Sequence, residues 1–155
     1  MNVVALNETV LKNARPEVDL WLAEFVERNG GLVGSVHLSE PAEEGEIVLV
    51  ASYNLPVSVR NGTAVIPIGK GMAGTAARRR EAVAIRDFQA DTTGVAVRAG
   101  RAAGAKGSLT VPVFAATDDT HLVAVIGLGF PEVHDFTPED IARYTEDATT
   151  VRAVL

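Results

Sequence analysis

Ile66–Asp87 reads IPIGKGMAGTAARRREAVAIRD, and the use made of its glycines decides the fold. Gly69, Gly71 and Gly74 have the G-x-G-x-x-G spacing of a dinucleotide-binding turn, which needs a buried strand directly before it and a βαβ unit around it. An acidic residue should also follow about 20 positions on, and Asp91 stands there. The preceding Val65-Ile66-Pro67-Ile68, however, is short, broken by proline and in mid-chain. The residues after Gly74 read mainly as a hairpin, not as alternating strands and helices. A phosphate loop of the Walker type is excluded, because no Gly-Lys-Ser/Thr follows. The glycines therefore serve a tight turn and a close approach of helix to sheet, or border a ligand pocket.

Outward from this stretch, periodicity sets the elements. Toward the C-terminus, Gly107–Ala115 and Leu122–Phe130 read as strands joined through the turn Thr117–Thr120. The last helix opens at Thr137, with Pro138 in its first turn and Asp140 where a capping box needs an acceptor. Ala82–Ile85 is a brief strand after a short helix over Thr75–Glu81, and Phe88–Gly104 has no consistent period. Toward the N-terminus, Leu32–Ser39 alternates. Its Leu32, Gly34, Val36 and Leu38 face one way, and Val33, Ser35, His37 and Ser39 the other, which predicts a strand with one buried face. Glu46–Leu55 is its antiparallel partner, and Asn61-Gly62 reads as a tight turn between extended pieces Pro56–Arg60 and Thr63–Ile68. Val3–Ala14 is a first helix. After Pro16, Val18, Trp21, Leu22, Phe25 and Val26 recur at helical spacing until Gly30-Gly31. Trp21 and Phe25 are open to two uses, packing on the sheet or forming a dimer seam. The order predicts an α+β fold with an antiparallel sheet and its helices on one face.

The chain has 155 residues, which predicts a single domain over 1–155. Apolar residues make up 47%, enough for a core, but aromatics only 5%, so aliphatic side chains must fill it. With no cysteine, disulfides, thiolate metal sites and cysteine nucleophiles are excluded, and a reducing, cytoplasmic location is expected. No positively charged start followed by an apolar run marks a signal peptide. Leu122–Phe130 is too short to span a bilayer, so no membrane partner is expected. Arg60–Lys106 carries nine basic and three acidic residues, whereas the rest carries five and seventeen. The net charge of −6 disfavours nucleic acid, while the basic middle suggests a local site for a small anion.

The candidate ligand-binding residues lie in that middle: Arg86, Arg98, Arg101 and Lys106, whose cationic heads suit a carboxylate or phosphate. Asp87 joins them as a carboxylate after a strand, where it either meets ligand or tethers a loop through backbone amides. Arg78-Arg79-Arg80 cannot share one helix face. No metal site is expected, since His37, His121 and His134 lack metal-site spacing. Ser108 lies outside any nucleophile elbow, so no catalytic residue is assigned.

The ordered set Ile66–Asp87, GSLTVPVFA (Gly107–Ala115), LVAVIGLGF (Leu122–Phe130) and FTPEDIARYTEDATTV (Phe136–Val151) resembles the GAF domain family. Gly69, Gly71, Gly74, Asp87, Pro112, Gly127, Phe136 and Asp140 occupy the family's pattern positions. The resemblance implies a profilin-like central antiparallel sheet of about six strands. The N- and C-terminal helices would lie on one face, and a loop-rich pocket on the other. It also implies a non-enzymatic, small-molecule-sensing regulatory module in signalling, one that forms a homodimer through terminal helices and acts on a separate output protein. A ligand-free structural or interaction domain, and a small enzyme without cysteine chemistry, are the alternatives. Family members that reduce free methionine sulfoxide use cysteines, which this chain lacks. The Asn-Lys and Phe-Asp-Glu signature of cyclic-nucleotide members is not found either.

Overall fold

Two helices precede the first strand: α1 (Val3–Asn13) and α2 (Pro16–Arg28). The computed structural model describes residues 3–40, 42–90 and 103–155. After α2 come β1 (Val33–Leu38), β2 (Glu46–Tyr53), α3 (Val57–Gly62), β3 (Val65–Pro67), α4 (Gly71–Arg79) and β4 (Val83–Ile85). The chain closes with β5 (Gly107–Ala115), β6 (Asp118–Phe130), α5 (Pro138–Ala148) and a 3-10 helix over Thr149–Val154. Among the described residues the sheet has six strands in the order β3-β2-β1-β6-β5-β4, each neighbour antiparallel. This is the α+β architecture the sequence predicts.

The period-2 pattern of the central strands sorts their side chains cleanly. Val36 and Leu38 of β1, Leu109, Val111 and Val113 of β5, and Ala124, Ile126 and Leu128 of β6 share one core with α2 and α5. Gly34 belongs to the same side: a Cβ there would meet Val26 and Leu22 of α2 at 2.5 and 3.0 Å, so only glycine lets the helix approach this closely. Trp21 and Phe25 stack at 4.8 Å within this core, and Trp21 Nε1 donates to Thr150 Oγ1 at 2.9 Å. Of the two uses open for this pair, intramolecular packing is the one it takes.

The capping box at α5 forms as the sequence predicts. The amide of Asp140 donates to Thr137 Oγ1, and the Thr137 amide donates back to Asp140 Oδ2. Three expectations need correcting. Asn61-Gly62 is the end of α3, not a turn between extended pieces. There the Thr63 amide and hydroxyl both reach back to the Val59 carbonyl and close the last turn. The β5–β6 turn is Ala116-Thr117, because Asp118 already pairs with Ala115. β1 is buried on both faces: Val33 and His37, read as its open side, lie inside a second, smaller core with Ile47, Met72, Phe88 and Val125 or in the wall beside it.

Candidate functional site

The face of the sheet turned away from α2 and α5 carries the site. Antiparallel register puts Ser35 of β1, Gly127 of β6 and Thr110 of β5 in one row across three strands. Val33, Gly129 and Ser108 form the next row. The middle of each row is a glycine, so the floor drops to backbone level between flanking side chains. A Cβ at Gly127 would lie 2.6 Å from Ser35 Oγ and 3.9 Å from Thr110 Oγ1, so the two hydroxyls lean over a gap that any side chain would close. Above this floor lies a cavity of about 320 Å³. Its walls come from α3 and β3 (Val59, Val65, Ile66), from the start of α4, and from Phe88, Ala103 and Ala105.

The glycine turn supplies one wall. Gly69 and Gly71 hold positive φ angles of 101° and 64°. A Cβ at Gly74 would sit 2.5 Å from the Pro67 carbonyl oxygen, so the close helix–sheet approach expected of these glycines is present. The turn delivers Lys70, Gly71, Met72 and Ala73 to the cavity. Lys70 is the N-cap of α4 and makes no side-chain cap. Among the described residues no acceptor meets the amides of Gly71, Met72 and Ala73. The start of α4, with its free amides and positive helix end, therefore borders the hollow.

The remaining polar groups are uncharged. His37 lies in the wall and is 2% exposed, with Nε2 at 2.8 Å from the Thr63 carbonyl. A carbonyl only accepts, so Nε2 carries the proton and Nδ1 is a bare acceptor without a partner. Burial pushes the imidazole down to about 4, against the opposing pull of the Thr63 bond, so the ring is neutral. Ser108 Oγ donates to the Leu128 carbonyl at 3.3 Å. Thr110 is 4% exposed, and its hydroxyl has no partner among the described residues. Lys70 is the sole charged side chain among the described residues that line the cavity.

The described residues among those singled out from sequence do not line this cavity. Arg86 is exposed, and its Nε donates to Asp135 Oδ1 at 2.5 Å. Asp87 Oδ1 accepts the Gln89 amide at 2.9 Å, the loop-tethering role weighed for it. Lys106 is exposed, and its backbone continues the ladder between Phe88 and Phe130. Arg86, Asp87 and Lys106 thus flank the cavity-lining Phe88 and Ala105 without lining the cavity themselves. Arg98 and Arg101 lie outside the described residues. Arg78 donates to the Ile68 carbonyl, and Arg80 lies over the Phe114 ring and donates to the Asp119 carbonyl.

Sequence reasoning assigned none of Ser35, His37, Lys70, Thr110 and the two floor glycines to the ligand site. A signal for them exists: Ser35-x-His37, Ser108-x-Thr110 and Gly127-x-Gly129 each occupy alternate positions on a strand whose other positions are apolar. Among the described residues no group of three or more His, Asp or Glu could hold a metal ion, and no helix is long and apolar enough to cross a membrane.

Comparison with known proteins agrees with this architecture. None of the curated proteins matches the chain. Similar solved structures include the GAF domain of a phosphoenolpyruvate-protein phosphotransferase from Coxiella burnetii, with a TM-score of 0.68 and 20% identity over 99% of this chain and 94% of that one. The GAF domain region of a membrane protein from Geobacter sulfurreducens superposes with a TM-score of 0.70, at 13% identity over 88% and 89% of the two chains. A free methionine-R-sulfoxide reductase from Neisseria meningitidis, in complex with its substrate, gives 0.59 at 16% identity over 99% and 89%. The absence of cysteine here argues against thiol-based chemistry of that reductase kind. The family model described as GAF domain matches residues 18–154, and with the sheet order, the helix layer and the glycine turn in place, the chain belongs to the GAF domain family.

Proposed function

We propose that this chain is a non-enzymatic sensing module that binds a small organic effector in the cavity over Gly127 and Gly129. The single observation that carries the reading is the glycine floor with the buried, unpartnered His37 Nδ1 in the wall beside it. Buried polar groups are ordinarily satisfied, so an unpaired ring nitrogen in the wall of an open hollow suits an absent partner. An apolar enclosure with a few convergent polar groups is the usual make-up of a small-molecule site. Enzymatic readings gain nothing from the geometry. His37 is neutral with Nε2 committed to a carbonyl, and no Asp or Glu is among the described lining residues to orient it.

Arg86, Asp87 and Lys106 enter this reading as outer contacts, secondary to the sheet-face residues, and Arg98 and Arg101 stay candidate ligand contacts on their sequence alone. The proposed homodimer would use the outward side of α1 and α2, where Leu11 and Leu20 are exposed; a monomer in sedimentation at micromolar concentration would remove it. A cytoplasmic location and a separate output protein complete the proposal.

The test is thermal shift of the protein and of Gly127→Ala against nucleotides, monocarboxylates and neutral heterocycles. A cavity ligand raises Tm with concentration in the native chain, by the mass action that binding to the folded state imposes. The methyl group added at 127 weakens that response while circular dichroism stays native. No stabilising compound in the panel, or equal stabilisation of both chains, would sink the reading.

A further inference from the structure

We propose that the effector is a monoanionic organic acid with an apolar body, its acid group held at the start of α4 and any second polar group uncharged. This inference rests on the sensing reading above and names the ligand class of the same cavity. Three observations on different elements lead to it.

The first is the wall at α4. This nine-residue helix begins without a side-chain cap, and the amides of Gly71, Met72 and Ala73 have no acceptor among the described residues. Lys70 stands beside them, so an oxyanion there would meet backbone donors, the positive helix end and an ammonium group together. The second is independent of the helix. Thr110, on β5, is 4% exposed, and its unpartnered hydroxyl faces the Ser35 hydroxyl across Gly127. A hydroxyl pair both donates and accepts, so it suits an alcohol, ether or carbonyl and offers no charge to a cation. The third is the absence of Asp or Glu among the described lining residues: His37 Nδ1 and the hydroxyls can accept from an ammonium group, but no opposite charge there offsets its desolvation. Around these groups Val33, Leu55, Ile66, Met72 and Phe88 make the surface apolar. Zwitterions and cations are thereby disfavoured, and an apolar acid fits.

The experiment is an amide chemical-shift titration of the whole chain with four probes of similar length: octanoate, 8-hydroxyoctanoate, 1-octanol and 8-aminooctanoate. Octanoate and 8-hydroxyoctanoate are expected to shift the Gly71, Met72 and Ala73 amides and to bind at least about 10-fold tighter than 8-aminooctanoate, as burial of an unpaired ammonium dictates. Lys70→Gln should weaken octanoate about 5-fold and leave 1-octanol unchanged, the worth of one charge-assisted contact. Thr110→Val should weaken 8-hydroxyoctanoate relative to octanoate by about 5-fold. Equal affinity for octanoate and 1-octanol, or for octanoate and 8-aminooctanoate, overturns the assignment. So does binding of both acids that leaves the three α4 amides unmoved. If a nucleotide or neutral heterocycle stabilises the native chain but none of the acids binds, this inference fails and the sensing reading stands; if nothing binds, both fail.

Discussion

On one side of the sheet Leu109, Val111, Ile126 and Val36 meet Leu22, Phe25, Tyr144 and Val151, and large apolar side chains fill the space between strands and helices. On the other side the same three central strands present Ser35, Ser108, Thr110, Gly127 and Gly129 and leave a cavity of about 320 Å³. One backbone with one register supports both arrangements, because successive side chains of a strand point to opposite faces. Residue parity thus separates the apolar filling of one face from the hollow over the other. The helix side supplies apolar burial, which lets the other side keep small and polar residues.

The largest expected effect is on the filled side. Phe25→Ala removes a stacked, 1%-exposed ring and should cost about 3–5 kcal/mol in urea unfolding, without altering the cavity lining. A loss below about 1 kcal/mol would mean that this face is not the stabilising one.

Next is the pH dependence of the cavity wall. Burial holds the His37 imidazole at about 4, below its ordinary value of 6.5, so the unfolded chain takes up the proton first as pH falls. The stabilisation is complete above pH 6.5 and is lost progressively down to about pH 4, on the order of 3 kcal/mol in all. His37→Gln should flatten that part of the stability–pH curve, and identical curves for the two chains would remove the argument.

The smallest effect is outside both faces. Arg86 pairs with Asp135, but the two side chains are 63% and 77% exposed, so solvent screens the pair. Arg86→Ala should change stability by no more than about 0.5 kcal/mol, and effector affinity less than Lys70→Gln does. A drop in affinity exceeding that of Lys70→Gln would return Arg86 to the centre of the site.

Local rules made much of the fold legible. Strand and turn signals marked Gly107–Ala115 and Leu122–Phe130 as a hairpin, and Thr137, Pro138 and Asp140 marked the start of the last helix to the residue. The glycines of Ile66–Asp87 turned out to do what an antiparallel α+β fold asks of them. Charge gave a poorer guide. A basic stretch in sequence need not converge in space, and Arg86 finds its acid 49 residues away at the surface. The polar positions of β1 look solvent-facing in sequence because a strand does not reveal what covers it.

What the sequence alone determined is therefore most of the elements, the antiparallel pairing of β1 with β2 and of β5 with β6, and the absence of thiol chemistry, since periodicity, caps, turns and composition act over a few residues or none. What only the tertiary structure decided is that Ser35, Gly127 and Thr110 form one row, that α3 and α4 roof it, and that His37 is buried and neutral beside it. Those facts belong to no single segment: they arise when strands far apart in the chain take one register and a helix start is carried over them.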